Sequence, residues 1–352
     1  GPTAHVTLQA GASLVFPASD LMGSGVDPAR GELIVVGNLA VNGSAAQPVQ
    51  LGGATATPGS WYGVVIDPAA TGAVATLANL AINYPTIGIL HRSPTATVST
   101  AAITMANVGN TGVRVEAGAP TYGGVATSGG TYGFEVTGAA SATFTNCIAR
   151  NTASAGARFV SSSTGRSLTL TSCSLNANGS YGVYSAAASG GAVTITNSII
   201  TSSTWGVYRN DLATYAVTSS NVWNNASSNF TGGASAGAGT ISSNPLYVSA
   251  TNLRLTANSP SRVMSSAMLP ALCRRDCIVR LTSSTPSACR AVAASSSRFW
   301  AKSARVGATR ACAISLGCRS LVCTQRDFES RFRRSGRRSM KGRPDLSTPF
   351  FI

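Results

Sequence analysis

Charge is what the first three quarters of this 352-residue chain has least of. Residues 1–260 hold no lysine, eight arginines and seven acids. Nothing in that stretch resembles the clustered basic residues that phosphate binding requires. Its aspartates are four, Asp20, Asp27, Asp67 and Asp211, widely scattered along the chain. The two histidines, His5 and His91, lie far apart and fit no metal-ligand spacing, so each reads as core or surface filling and no metal is expected. No Gly-x-Ser-x-Gly elbow, phosphate loop or dinucleotide fingerprint occurs in a strand–turn–helix context, and no cofactor is expected. Apolar runs stay below the ~18 residues of a membrane-spanning helix. Between the glycines the chain is Thr, Ser, Asn, Ala, Val and Ile, and no long run of helix formers occurs.

What the chain does have is a repeat. Gly63, Gly88, Gly112, Gly133, Gly156, Gly182 and Gly206 follow one another at intervals of 21 to 26 residues, each opening a short apolar strand such as Thr131-Tyr-Gly-Phe-Glu or Thr204-Trp-Gly-Val-Tyr. A second string precedes the glycine: Ala142-Thr-Phe-Thr-Asn-Cys-Ile, Leu168-Thr-Leu-Thr-Ser-Cys-Ser and Val193-Thr-Ile-Thr-Asn-Ser-Ile. Alternation of apolar and small polar residues marks a strand with one buried face. Asn- and Gly-bearing turns such as Asn176-Ala-Asn-Gly-Ser suit tight, left-handed corners. A repeat this short has no room for a crossover helix, so the coils stack into parallel sheets along a solenoid.

The pattern resembles the right-handed parallel β-helix family, the pectate-lyase-like superfamily in its broad sense, over residues 1–260. Ser243-Asn-Pro-Leu-Tyr-Val and Asn252-Leu-Arg-Leu-Thr-Ala-Asn-Ser-Pro look like the closing segment of bacterial secreted members. The resemblance implies an all-β, right-handed parallel β-helix solenoid. That superfamily holds lyases, hydrolases, epimerases and adhesins, so fold alone leaves activity open. Its polygalacturonase-like members use clustered Asp, and its lyase-like members use Asp-rich calcium sites with a catalytic Arg. Neither site can be carried over to this chain.

In-register stacking places equivalent residues ~4.8 Å apart. The position after each glycine (Val64, Ile89, Val113, Phe134, Ala157, Val183, Val207) should point into the core. Two after it come Val65, Leu90, Arg114, Glu135, Arg158, Tyr184 and Tyr208, and four after it Asp67, Arg92, Glu116 and Thr137, both expected outward. Two readings of these columns stand side by side. Glu116 and Glu135, ~8 Å apart by strand geometry, match the separation of an inverting glycosidase pair. Arg114 and Arg158 would then hold an acidic sugar, and Tyr184, Tyr208 and Trp205 would stack on sugar rings. Alternatively, the alternating signs are what a parallel stack needs to keep like charges apart. Tyr62, Tyr132, Tyr181 and Trp205, just before their glycines, read as an aromatic ladder packing a corner or as a carbohydrate platform. Cys147 and Cys173 recur at one position in consecutive coils, where a disulfide or a buried ladder continued by Ser198 would both fit.

Residues 261–352 differ abruptly: sixteen Arg and two Lys against four acids, and six of the eight cysteines. Cysteine spacings of 4, 12, 23, 6 and 5 without any histidine match no zinc pattern. Arg331-Phe-Arg-Arg-Ser-Gly-Arg-Arg would neutralise a polyanion such as nucleic acid. The alternative is an irregular, disordered tail produced by reading GC-rich coding DNA out of frame, because the repeats stop in mid-motif after Ser259-Pro-Ser-Arg. The first residues begin inside a strand pattern, which reads as N-terminal truncation. The sequence thus leads to a non-catalytic, secreted or cell-surface β-helix module with a structural or carbohydrate-interacting role. A polysaccharide lyase or glycoside hydrolase is the alternative, and polyanion binding by the tail a third.

Overall fold

The computed structural model describes residues 4–187, 190–263, 279–281 and 321–323. Its body is a parallel β-solenoid with no α-helix among the described residues. Three parallel sheets of eleven, nine and five strands wall it. The nine-stranded sheet carries the recurring glycines, running from Leu33–Val35 through strands such as Ile87–His91, Tyr132–Gly138 and Tyr181–Ser185 to Ser228–Thr231. The five-stranded sheet stacks Thr121–Gly123, Ala142–Thr145, Ser167–Thr171, Ala192–Thr196 and Thr214–Thr218. The eleven-stranded sheet begins at His5–Gln9 and ends at Asn221–Trp223.

Register explains the core. Val113 pairs with Phe134, Phe134 with Ala157, Ala157 with Val183 and Val183 with Val207. All are fully buried, as are Val64 and Ile89 above them, so the position after the glycine is the inward column. A second inward column runs down the five-stranded sheet through Phe144, Leu170, Ile195 and Val217. Side chains fill the lumen, and one continuous apolar cluster extends from Val35 to Ala234.

The glycines are there because two sheets meet. A Cβ on Gly182 would lie 2.2 Å from the Ile200 side chain across the lumen and 2.6 Å from the Gly206 carbonyl in the next coil. At Gly133 it would lie 2.4 Å from the Ala149 Cβ and 2.5 Å from the Gly156 carbonyl. All four separations are too short for real atoms, so close approach fixes glycine at the opening of each strand.

Two ladders of left-handed residues turn each coil. The first is Asn79, Ala102, Gly124, Asn146, Ser172, Asn197 and Ser219, and the second Tyr84, Asn107, Gly129, Asn151, Ala177, Ser202 and Asn224, with φ between 47° and 84°. In all seven coils the two corners lie five residues apart. From glycine to first corner the length varies between 12 and 16 residues, and this arc absorbs nearly all the irregularity of the repeat. Asn is the favoured non-glycine residue at left-handed φ, yet Ala, Ser and Tyr also occupy these corners, where neighbouring coils impose the geometry.

Cys147 and Cys173 are free and buried. They form the ladder rather than a disulfide: the Cys147 thiol approaches the Tyr122 carbonyl, the Cys173 thiol the Phe144 carbonyl, and the Cys173 amide donates to Ser198 Oγ. Burial pushes the Cys173 thiol up. The closing segment folds back on the solenoid. Tyr247 bridges Leu255, the Tyr247 hydroxyl meets Thr201 Oγ1 at 3.4 Å, Arg150 donates to the Thr251 carbonyl at 2.8 Å, and Asn221 donates to Ser261 Oγ at 2.7 Å.

Of the tail, residues 261–263 end the closing segment, and beyond them only Val279–Leu281 and Leu321–Cys323 are described; these two strands pair antiparallel in a unit separate from the solenoid. Its cysteines other than Cys323, its Arg331–Arg338 cluster and the out-of-frame reading lie outside the described residues.

Candidate functional site

The second residue after each glycine does leave the lumen, but the column is not uniformly exposed as alternation predicts. Val65 and Leu90 are buried and pack with Ile87, Val26 and Tyr62 in a small cluster apart from the main core. Further along, Arg114 pairs in register with Glu135, Glu135 with Arg158, Arg158 with Tyr184, and Tyr184 with Tyr208. The Glu135 side chain has 0% exposure. Arg114 Nε donates to its Oε2 at 2.6 Å and Arg158 Nη1 to its Oε1 at 2.5 Å. Glu116 lies 3.4 Å from Arg92 Nε and 3.9 Å from Arg114 Nη1. Burial works against the Arg114 charge, but Glu135 and then Glu116 outweigh it and hold the guanidinium above its ordinary value. Arg158 also lies over the Tyr132 ring, 4.7 Å from its centroid, a cation–π contact.

Four of the predicted charged residues, Arg114, Glu116, Glu135 and Arg158, are therefore brought together with Arg92 in one ladder of alternating sign. Glu135 is enclosed between two guanidiniums and walled from water. Glu116, partly exposed, shares Arg114 with it. In this arrangement the charges neutralise one another across successive strands.

Below the ladder the aromatics gather. Tyr181 stacks on Tyr184 at 4.6 Å and on Trp205 at 5.3 Å; Tyr208 lies tilted 5.2 Å from Tyr181 and edge-on 5.7 Å from Trp205. Tyr184, Tyr208 and Trp205 thus share one partly exposed cluster, completed by Tyr181. Asn210 donates to the Tyr184 hydroxyl at 3.3 Å. Tyr62 and Tyr132, at the same strand position, stand in other neighbourhoods: Tyr62 beside Val65 and Leu90, Tyr132 beneath Arg158.

His91 lies in the lumen. Its Nε2 donates to the Ser93 carbonyl at 2.9 Å, an assignment that makes Nδ1 the acceptor for Tyr122 Oη at 3.3 Å. His5 is at the surface beside Asn38. The Tyr122 contact spans 31 residues of sequence and only the coil register brings it about. Among the described residues no group of three His, Cys, Asp or Glu is placed to hold a metal ion, and no helix is long and apolar enough to cross a membrane.

The stacked sheets, the glycine column and the two corner ladders define a β-solenoid whose chemistry is displayed on its outer faces. A family model described as right-handed β-helix region matches residues 41–244, more than half of the chain. The protein belongs to the right-handed β-helix family. No curated protein matches it.

Proposed function

We propose that the body is a non-catalytic β-helix module of a secreted or cell-surface protein, with a structural role and a capacity to touch carbohydrate. The observation that carries this reading is the burial of Glu135, one of the two candidate carboxylates. A glycosidase acid must reach the glycosidic oxygen, and its partner must reach water or the anomeric carbon. Glu135 reaches neither, because both of its oxygens are held by Arg114 and Arg158 behind a surface with 0% exposure. Low charge and a Ser, Thr, Asn, Gly and Ala composition support an exported setting.

The rival lyase or hydrolase reading assigns turnover to the Arg114, Glu116, Glu135 and Arg158 face. A panel of acidic and neutral polysaccharides incubated with the full chain separates the two. No turnover is expected with any member; turnover abolished by Glu135→Gln in a protein that still folds would overturn the proposal.

Carbohydrate contact has its own support in Tyr181, Tyr184, Trp205 and Tyr208, which remain partly exposed. Much of their ring surface is spent on each other, so the cluster offers edges, hydroxyls and the outer ring faces rather than a flat platform. Glycan-induced quenching of tryptophan fluorescence, lost in Trp205→Ala, tests that contact. The polyanion reading of the tail predicts salt-sensitive nucleic-acid binding that disappears when residues 261–352 are deleted.

A further inference from the structure

The five-stranded sheet carries an ordered pattern that the reading above does not use. Its outward positions form columns in strict register. One column holds Thr121, Thr143, Thr169, Thr194 and Ala216; the next holds Gly123, Thr145, Thr171, Thr196 and Thr218. None of the residues 121–123, 142–145, 167–171, 192–196 or 214–218 is charged. The central threonines are partly exposed. Among the described residues, the hydroxyls of Thr143, Thr145, Thr169, Thr171 and Thr194 have no partner in the protein, while those of Thr196 and Thr218 approach each other at 3.4 Å. Threonines at strand ends and turns are engaged instead: at the edge of this sheet Thr214 donates to the Gly191 carbonyl, and elsewhere Thr204 donates to Gly179 and Thr240 to Val217.

We propose that this face binds ordered water, specifically the surface of an ice crystal. Each threonine offers a methyl group, which structures the water over it, and a hydroxyl, which anchors that water. The backbone repeats the pair every ~4.8 Å along the solenoid and every ~6.7 Å across it, two residues along a strand. A crystal face of ice also repeats its water oxygens at fixed spacings, so a fixed grid of side chains can meet many of them at once. Immobilising a single water costs up to ~2 kcal/mol, so one threonine organises nothing by itself. A rigid grid spreads its contacts over many waters already fixed in a lattice.

Charge decides the occupant. A polyanion requires cations, and this face has none. Protein and glycan partners are anchored by aromatic, Arg or concave apolar features, and the outward positions of this face have none of these. A neutral lattice of donors and acceptors is the partner that an uncharged hydroxyl–methyl grid complements.

The test is uptake of the full chain into slowly growing ice, compared with a non-binding protein of similar size. Wild type is expected to be enriched in the ice and to facet the crystals. Thr171→Lys, which places a charged stem in the centre of the grid, should reduce uptake to the control level with circular dichroism and melting temperature unchanged. Should that variant fail to fold, Thr169→Tyr supplies a steric obstacle at the neighbouring position and should have the same effect. Exclusion of wild type from ice overturns the proposal, and so does uptake that survives in a folded substituted protein.

Discussion

The same coils present two outer faces of opposite character. On the glycine-bearing sheet the outward column reads Arg114, Glu135, Arg158, Tyr184 and Tyr208, every member engaged with a neighbour. On the five-stranded sheet it reads Thr143, Thr169 and Thr194, without charge and without protein partners. Backbone and register are equivalent, and both faces lie over the same apolar lumen. The difference therefore resides in side chains alone. A stacked fold copies whatever a column contains at strand spacing, so a charged column must alternate in sign while a neutral one can repeat itself.

That contrast implies unequal contributions to stability. Replacing Glu135 by Ala leaves Arg114 and Arg158 facing each other, and we expect a loss of about 3–5 kcal/mol, the scale for breaking one side of a buried ion pair. Denaturant unfolding measures it; a loss below about 1 kcal/mol would mean that the ladder is no more than a surface ornament. Gly182→Ala should cost about 1–3 kcal/mol, the range for overpacking a filled core, because the Gly206 carbonyl cannot retreat without moving a whole coil.

A titration comes next. Burial holds His91 below the ordinary imidazole value. The unfolded chain therefore takes up the proton first, and stability should fall as pH drops below about 6.5. His91→Gln should remove that part of the slope between neutral pH and the carboxylate range; an unchanged slope would assign it to other groups. Relief of left-handed strain runs the other way: Ala177→Gly at an exposed corner with φ 53° should raise stability by roughly 1 kcal/mol. Smallest of all, Thr171→Ala on the uncharged face should stay within about 0.5 kcal/mol of wild type. A larger loss there would erase the contrast between the faces.

The architecture was legible because its strongest constraints are local and recur. A glycine demanded by close approach, followed by an inward Val, Ile or Phe, writes itself into the sequence once per coil, and the Thr-x-Thr strings give a second strand. The Cys147, Cys173 and Ser198 ladder was visible for the same reason. Burial of Glu135 was not, since alternation says which way a side chain points but not what neighbouring coils lay over it. Nor could His91 be paired with Tyr122, whose contact depends on coil register, or Ala102 and Ala177 be read as left-handed corners. Their own chemistry argues against that conformation, and the coils above and below override it.

The fixed five-residue step between the two corners divides each coil into a rigid part and an elastic one. Any change of length inside the step would throw one ladder out of line through the whole stack. The arc from glycine to first corner tolerates such change, as its spread of 12 to 16 residues already records. Its turn at residues 162–166, between the strands Ala155–Ser161 and Ser167–Thr171, is largely exposed. There the solenoid works as a display frame: a foreign peptide spliced into that turn would project from the side of the stack while the ladders on either side keep count.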